Sequence, residues 1–359
     1  MNDMSLPEYG LEAGLRFACV LNGRGGAVAR NWTEVRGWQP GDGVLWIHLE
    51  RDAPEAQDWI RSESGVDPVV GEALLAEETR PRVEAIGDGL LVILRGISRI
   101  AEDSESELGG NIDYVPLHLW IDGQRVITLR DGEHYLMTLR DLRTALAAGS
   151  GVTRPGELLA RIAERLVADL EPVLERMDDE VDSLEDAVLE KAEAGATRVM
   201  DPAANQEVRH RLSDLRRQAV HLRRYLTPQR DALNRLQREE SDWISQRDRV
   251  LLREDIDKLL RFIEYLDAIR DRAIILHEDL SALVSERIAF SSMRISRASN
   301  RLTALAAVVL PPSLIAGIWG MNVGGVPYNQ DPLGFVYLGG VCAASSVVVL
   351  VMMRLLKWI

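Results

Sequence analysis

The feature that most constrains this fold is the near absence of charge in the last sixty residues. Residues 302–330 carry no charged side chain, Asp331 is a single acid, and residues 332–353 are again uncharged. An apolar helix needs about 20 residues to cross the roughly 30 Å hydrocarbon core of a bilayer. Residues 302–319 and 335–353 each approach that length. The sequence therefore predicts two transmembrane helices, and spans this clean disfavour the alternative of two buried helices in a soluble protein.

Basic residues at both ends of this hairpin indicate its orientation. Arg294, Arg297 and Arg301 precede the first span, and Arg354 and Lys357 follow the second. By the positive-inside rule, both chain termini are expected in the cytoplasm and the 320–334 loop outside. The first residues form no basic, apolar leader, so the sequence predicts no signal peptide and a cytoplasmic location for the large upstream part.

A short motif lies at the outer end of the first span, where Gly320, Met321 and Asn322 follow one another. With a second span close behind and a short basic tail, this tripeptide resembles the CorA metal-ion transporter family. The Val-Gly-Gly-Val-Pro run at 323–327 and the terminal Lys-Trp-Ile at 357–359 resemble the ZntB-like branch of that family. The ZntB-like resemblance covers nearly the whole chain.

The resemblance implies a fold, an assembly and an activity. The fold is the CorA-like funnel, and the assembly is a homopentamer whose long helix forms the stalk and the inner pore wall. The activity is Zn²⁺ transport across the bacterial inner membrane, with a proton gradient as the driving force. The partners implied are membrane lipid, divalent cations and further copies of the chain.

Composition narrows the function independently. The net charge of −14 and the pI near 5.0 argue against nucleic acid as a partner and suit a protein that attracts divalent cations. Cys19 and Cys342 are too far apart in sequence to suggest a metal motif or a disulfide framework. The sequence contains no phosphate loop, zinc-protease histidine pair or nucleophile elbow. We therefore expect a transporter, not an enzyme, with no cofactor besides the metal it carries or binds.

The region upstream of the spans predicts an α+β cytoplasmic domain of sandwich-like type, followed by long stalk helices. Strands are expected at Leu15–Leu21, 44–49 and 90–94, and a hairpin through Asp122-Gly123 is expected to join 115–121 to 125–129. Helices are expected from Pro54 and over 69–78. The predicted parts are 1–155, the α/β domain; 156–231, an acidic helical region; 232–301, a long stalk helix; 302–319, the first span; 320–334, the outer loop; 335–353, the second span; and 354–359, a basic cytoplasmic tail.

The helical region contains a strongly acidic stretch. Between Glu171 and Glu193 there are ten acids against two bases, Arg176 and Lys191. The acids form either a solvated helix face or a surface that attracts cations near the pore mouth. Further on, Thr227-Pro228 predicts an interruption. A single helix is then expected from Ala232 to Trp319, 88 residues and about 130 Å long.

One stripe of the first span has the side chains that a pore requires. Counting back from Asn322 in helical steps gives a set of small or polar residues mixed with leucine: Gly317 or Ile318, Ser313, Leu310, Ala306, Thr303 or Leu302, and Ser299. No carboxylate, imidazole or thiol occurs at 302–330. The alternative is that Ser313 and Thr303 only hydrogen-bond the backbone of their own helix.

The residues of the stripe do not decide which ion is transported. Zn²⁺ held by protein prefers imidazole or thiolate, whereas a ring of Asn322 carboxamides suits the water shell of Mg²⁺. In the family resemblance Met321 is the Mg²⁺-type residue, yet the Pro-Glu-Leu loop of Mg²⁺-type members is missing. We expect Zn²⁺ transport, with an Mg²⁺/Co²⁺ channel as the alternative. A membrane-anchored signalling or scaffold protein is the alternative from another class.

Two further sites are candidates. Asp331 either forms an outer ring that concentrates cations or caps the second helix. His277, followed by Glu278 and Asp279, is either a regulatory metal ligand or an ordinary surface histidine.

Overall fold

The computed structural model describes residues 14–77, 80–98, 114–131, 137–193, 202–321 and 332–355. The chain divides into two compact units. One comprises Met1–Leu189 and Met200–His277, and the other comprises Glu190–Val199 and Glu278–Ile359.

The first unit is built on a mixed sheet. Its described strands are β1 (Leu15–Leu21), β2 (Ala27–Ala29), β3 (Leu45–Glu50), β4 (Arg82–Ile86), β5 (Gly89–Ile97), β6 (Tyr114–Ile121) and β7 (Arg125–Arg130). Their order in the sheet is β2-β1-β3-β7-β6-β5-β4. Neighbours are antiparallel except β3 and β7, which are parallel with Leu45 opposite Arg125. The expected strands are confirmed, and β2 and β4 are additional.

The predicted hairpin between β6 and β7 is confirmed. Ile121 pairs with Val126 across the turn, and the Asp122 carboxylate accepts the backbone N–H of Arg125 at 2.8 Å. Gly123 has φ +83°, a conformation that glycine adopts without strain. A Cβ at Gly123 would also lie 2.9 Å from the Trp243 ring. The Asp-Gly sequence therefore provides both the turn and room for the tryptophan.

Both faces of the sheet are buried. Short helices α1 (Trp32–Gly37), α2 (Pro54–Asp58, continued by a π-helical turn over Trp59–Glu63) and α3 (Pro68–Leu75) contribute Trp32, Trp59 and Leu74 to one core with Ile47 and Ile93. The alternate residues of β5, including Val92 and Leu94, point the other way and are also buried. Helices α5 (Pro155–Ala168) and α7 (Pro202–Arg238) contact β5, whereas α4 (Met137–Ala147) packs on α5. The two expected helices are confirmed, the second ending at Leu75, before residue 78.

The expected interruption at Pro228 is wrong, because α7 runs through it. A proline inside a helix costs about 3 kcal/mol. Three leucines on either side of Pro228 are almost fully buried: Leu222, Leu226 and Leu233. Burial of each side chain stabilises the fold by about 1.5–3 kcal/mol. Packing of α7 therefore outweighs the missing hydrogen bond.

The expected single helix from Ala232 is also corrected. It is divided between α7, which ends at Arg238, and α8 (Gln246–Trp319), which is 74 residues long. Ser245 and Asp248 form a reciprocal cap at the start of α8: the Asp248 carboxylate accepts the Ser245 N–H at 2.8 Å, and the Ser245 hydroxyl accepts the Asp248 N–H at 3.3 Å. Arg249 also donates to the Gln237 carbonyl at 2.7 Å, near the end of α7. These bonds give hydrogen-bond partners to backbone groups at the start of α8 and near the end of α7.

Candidate functional site

Two helices of the described chain are long and apolar enough to cross a membrane, namely the last part of α8 and α9 (Gly334–Leu355). None of the residues in their most apolar 18-residue stretches is buried. A core helix of a soluble protein would be buried on at least one face. The alternative of buried core helices is therefore wrong, and the exposed apolar side chains are suited to lipid.

Two contacts fix the pairing of these helices. The Cys342 thiol on α9 lies 3.7 Å from the Pro312 carbonyl on α8, and the Ser346 hydroxyl lies 3.5 Å from the Val308 carbonyl. Moving four residues forward on α9 thus moves four residues back on α8, as in an antiparallel pair. The partly buried residues of α8 recur at helical spacing and mark the face towards α9: Ala304, Ala307, Val308, Pro311, Pro312, Ile315 and Trp319.

The helix continues through Pro311 and Pro312. Pro312 has no N–H to donate to the Val308 carbonyl four residues earlier. The Ser346 hydroxyl of α9 lies beside that carbonyl instead. In a bilayer this matters because no water is available to bond a free backbone group, and a neighbouring serine can replace the missing donor.

The predicted pore stripe lies on the side of α8 away from α9. The residues of the stripe within the described helix are exposed: Ser299, Leu302, Thr303, Ala306, Leu310, Ser313, Gly317 and Ile318. Gly320 and Met321, just beyond the helix, are exposed too. Thr303 belongs to the stripe and Ile315 to the face towards α9. They differ by twelve residues, which places them about 120° apart around the helix, so the two faces are distinct. Asn322 and Asp331 lie outside the described residues.

Ser313 makes the bond that the alternative interpretation expected. Its hydroxyl donates to the Val309 carbonyl of its own helix at 2.8 Å. The hydroxyl oxygen retains lone pairs that can accept a hydrogen bond from a passing water molecule. The intrahelical bond therefore orients the Ser313 side chain and leaves an acceptor on the exposed stripe.

The candidate regulatory cluster is not assembled. His277, Glu278 and Asp279 are consecutive exposed residues of α8, and successive side chains on a helix point about 100° apart. Within the described ranges, no group of three or more histidine, cysteine, aspartate or glutamate residues is arranged to hold a metal ion.

Acids of helix α6 (Glu171–Glu193) form ion pairs with arginines of neighbouring helices, which the sequence did not indicate. Arg272 of α8 lies 3.4 Å from Asp178, 2.6 Å from Asp182 and 2.5 Å from Glu185. The hydrogen bonds to Glu185 and Asp182 raise the pKa of Arg272 further above its usual range. Arg211 of α7 makes a two-pronged bond to Glu180 at 2.7 and 2.8 Å. These four acids therefore hold α6 to its neighbouring helices.

Comparison with known proteins identifies the family. The model of a family described as "CorA-like Mg2+ transporter protein" matches residues 41–356. The chain belongs to this CorA-like family. The divalent cation transporter CmaX of Pseudomonas aeruginosa is 34% identical, with 99% of this chain and 100% of CmaX covered. The zinc transport protein ZntB of Pectobacterium carotovorum is 30% identical, with coverages of 90% and 89%.

Solved structures agree with this assignment to the CorA-like family. The full-length CmaX protein superposes with a TM-score of 0.71 at 32% identity, covering 98% of this chain and 100% of CmaX. The complete CorA magnesium transporter of Methanocaldococcus jannaschii superposes with a TM-score of 0.59 at 20% identity, covering 96% and 98%, and this likeness shows the fold alone. The predicted family and fold are confirmed, and the chain is a membrane protein of a divalent-cation transporter family.

One buried acid of this CorA-like chain was not identified from the sequence. Asp255 of α8 is 2% exposed, and its Oδ2 atom has no hydrogen-bond partner in the described structure. Burial, followed by the charge of Glu164, raises the pKa of Asp255 to about 7, against the pull of Lys258. The sequence does carry a signal for this buried acid. Asp255 interrupts the row of apolar residues, including Leu252 and Leu259, that recurs at helical spacing along α8.

Proposed function

We propose that this CorA-like protein carries divalent cations across the bacterial cytoplasmic membrane as a homo-oligomer, with the pore stripe of α8 facing a central pathway. The observation that carries the proposal is the exposed face from Ser299 to Gly317, which α9 leaves uncovered. A single hairpin cannot enclose a pathway, so further copies of the chain must complete the wall. The family resemblance supplies the number of copies, five.

The described stripe suits a hydrated ion. Ser299, Thr303 and Ser313 offer hydroxyl oxygens, and the positions between them are small or apolar. Hydroxyl oxygens bind the water shell of a cation, whereas tight Zn²⁺ binding requires nitrogen or sulfur ligands. In this proposal the ion passes with most of its water, and the Asn322 ring at the outer mouth selects it.

Zn²⁺ is the cargo that we propose first. The ZntB relatives are zinc transport proteins at close to 30% identity over nine-tenths of this chain. A proton gradient is the proposed driving force. Asp331 concentrates cations at the outer mouth, and both chain termini lie in the cytoplasm.

A second candidate cargo is Mg²⁺ or Co²⁺. It is favoured by the oxygen-only chemistry of the stripe and by Met321 before Asn322. Both candidates share the pathway and differ only in selectivity.

The test is metal uptake into proteoliposomes that contain the purified protein. Zn²⁺, Mg²⁺ and Co²⁺ are compared with and without an inward proton gradient. Zinc uptake that rises with the gradient supports the first cargo, and magnesium uptake indifferent to it supports the second. Absence of uptake for all three ions would favour the scaffold alternative.

Substitutions test the pathway itself. Asn322→Ala is expected to abolish uptake while the oligomer still elutes as in wild type, and normal uptake would overturn the pore assignment. Ser313→Cys is expected to make uptake sensitive to a cationic, membrane-impermeant thiol reagent. Leu305→Cys, which is exposed but about 80° around the helix from Ser313, is the matched control and is expected to remain insensitive.

A further inference from the structure

A cluster of arginines lies at the cytoplasmic end of the membrane hairpin and has no role in the proposed pathway. Arg294, Arg297 and Arg301 are exposed and recur at helical spacing on α8. Arg301 and Thr303 are two residues apart, and so about 160° apart around the helix. The arginines therefore continue the face that α9 covers deeper in the membrane, and they point away from the pore stripe.

The helix pairing brings a fourth arginine to the same level. Ser346 of α9 lies beside Val308 of α8, and Arg354 is eight residues beyond Ser346. In an antiparallel pair, Arg354 is then level with a position eight residues before Val308, next to Arg301. Met353 is 4% exposed, which indicates that α9 is still packed at this level. Arg297, Arg301 and Arg354 thus form one basic group, called here the arginine cluster.

The charge around the arginine cluster is uncompensated within this part of the chain. Residues 287–359 contain six lysines and arginines and one acid, Asp331, a net charge of +5. Since the whole chain carries −14, residues 1–286 carry −14 − 5 = −19. No ion pair joins the arginine cluster to any carboxylate of the described chain, whereas Arg287 donates to the Lys191 carbonyl. The cluster is therefore an exposed cationic patch on an acidic protein.

We propose that the arginine cluster binds the phosphate headgroup of an anionic phospholipid in the inner leaflet. Guanidinium groups form two-pronged hydrogen bonds to phosphate, and basic groups between transmembrane helices on the cytoplasmic side suit lipid headgroups. The cluster lies at the end of two apolar helices, so the same surface offers lipid chains a place to pack. The inference rests on the proposed orientation of the hairpin but not on the identity of the transported ion.

The experiment uses the full-length oligomer in a neutral detergent and measures lipid binding by native mass spectrometry. Phosphatidylglycerol is expected to bind and phosphatidylcholine to bind much more weakly. The triple variant Arg297→Gln, Arg301→Gln, Arg354→Gln is expected to weaken phosphatidylglycerol binding by about fivefold for each arginine, on the order of 100-fold in all. A triple variant that binds phosphatidylglycerol like wild type would overturn the proposal.

A matched control removes the same charge elsewhere. Arg24→Gln, Arg216→Gln and Arg224→Gln change three exposed arginines of the first unit and are expected to leave lipid binding as in wild type. Equal weakening in this control would show that net charge alone attracts the lipid and would overturn the proposal. Inorganic phosphate that displaces the lipid at equal concentration would assign the cluster to a soluble anion instead.

Single variants keep the test decisive if the triple variant fails to assemble. Arg301→Gln and Arg354→Gln are then compared separately, and Arg354→Lys keeps the charge but not the two-pronged geometry. Each glutamine variant is expected to weaken binding several-fold, and no change in either would overturn the proposal. Because binding is read in detergent, a protein that binds lipid but transports no metal separates this inference from the proposed function.

Discussion

The hydroxyl oxygen of Ser346 on α9 lies 3.5 Å from the main-chain carbonyl oxygen of Val308 on α8, the carbonyl that Pro312 leaves without its helical donor. The same hydroxyl lies 3.1 Å from the Cys342 carbonyl on its own helix, so its single proton is shared between two acceptors. The serine of one membrane helix therefore lies where it can donate to the carbonyl that the proline of the other helix leaves free. This contact offers a donor to one of the two carbonyls, that of Val308, which Pro311 and Pro312 leave without a helical partner.

A double-mutant cycle tests this pair. Ser346→Ala is expected to lower the free energy of unfolding by about 0.5–1 kcal/mol, the usual value of a hydrogen bond between membrane helices. In a Pro312→Ala background the helix has its own donor again, so the same change is expected to cost almost nothing. Unfolding of the detergent-solubilised protein by sodium dodecyl sulfate measures both. Additive costs in the cycle would show that Ser346 does not replace the missing donor.

The ion pairs of α6 predict a second stability effect. Removing Arg272 leaves Asp178, Asp182 and Glu185 repelling one another on one helix face. Because Arg272 is 37% exposed, solvent screens part of the interaction, and Arg272→Ala is expected to cost about 1 kcal/mol at low salt. The difference from wild type is expected to shrink in 1 M salt.

The control for this prediction is on the same helix. Asp179 is exposed and has no ion pair in the described structure, so Asp179→Asn is expected to change the free energy of unfolding by less than about 0.5 kcal/mol. Urea denaturation at two salt concentrations measures both variants. A salt-independent loss in Arg272→Ala would mean that its alkyl stem, not its charge, stabilises α6.

Local signals explain what could be predicted from the sequence. Asp122-Gly123 specifies its turn chemically, and uncharged runs specify the membrane helices because a charge there is costly. The break before α8 is not marked by a proline or glycine between Leu236 and Leu252, although Ser245 and Asp248 form a cap that the sequence shows. The pairing of Arg272 with Asp182 spans 90 residues and follows from packing that no local pattern encodes. The candidate pore was predictable only as a stripe, because its walls require further copies.

Buried histidines predict that the first unit loses stability in acid. The His118 Nδ1 atom lies 2.6 Å from the Leu74 carbonyl, and burial lowers the pKa of His118 to about 4. Burial, with Arg130 next, lowers the pKa of His48 to about 3. In the unfolded chain both protonate near pH 6.5. The unfolded state therefore binds more protons below that pH, and the free energy of unfolding is expected to fall as pH drops, by on the order of 2 kcal/mol per histidine at pH 5.

Single substitutions assign this acid effect. His118→Asn keeps a donor for the Leu74 carbonyl and is expected to reduce the slope of stability against pH, between pH 6.5 and 5, by about one proton. His210→Asn makes the same substitution at an exposed histidine of α7 and is expected to change the free energy of unfolding at pH 7 by less than about 0.5 kcal/mol. Urea denaturation across this range measures the slopes, and an unchanged slope in His118→Asn would assign the acid effect to other groups.

Asp255 predicts the opposite trend, between about pH 4 and pH 7. Its pKa is raised to about 7 by burial, with Glu164 of α5 and Glu254 adding to the rise and Lys258 opposing it. The folded state therefore holds a proton that the unfolded chain releases near pH 4, and this stability is lost as pH rises through about 7. Asp255→Asn removes the buried charge and is expected to raise the free energy of unfolding at pH 8 by on the order of 2 kcal/mol.

The control for Asp255 is Asp257→Asn, an exposed acid two residues along α8. It is expected to change the free energy of unfolding by less than about 0.5 kcal/mol, whereas the gain of Asp255→Asn over wild type is expected to grow as pH rises from 6.5 to 8. The decline of the Asp255 contribution begins near pH 4 and overlaps the histidine range, where the two trends oppose each other. The Asp255 contribution is therefore read as the difference between Asp255→Asn and wild type, which share both histidines. Denaturation at pH 6.5, 7.2 and 8 measures both variants. If the two variants behave alike, Asp255 is ionised in the folded protein, and the α5 and α8 helices tolerate its charge without a proton.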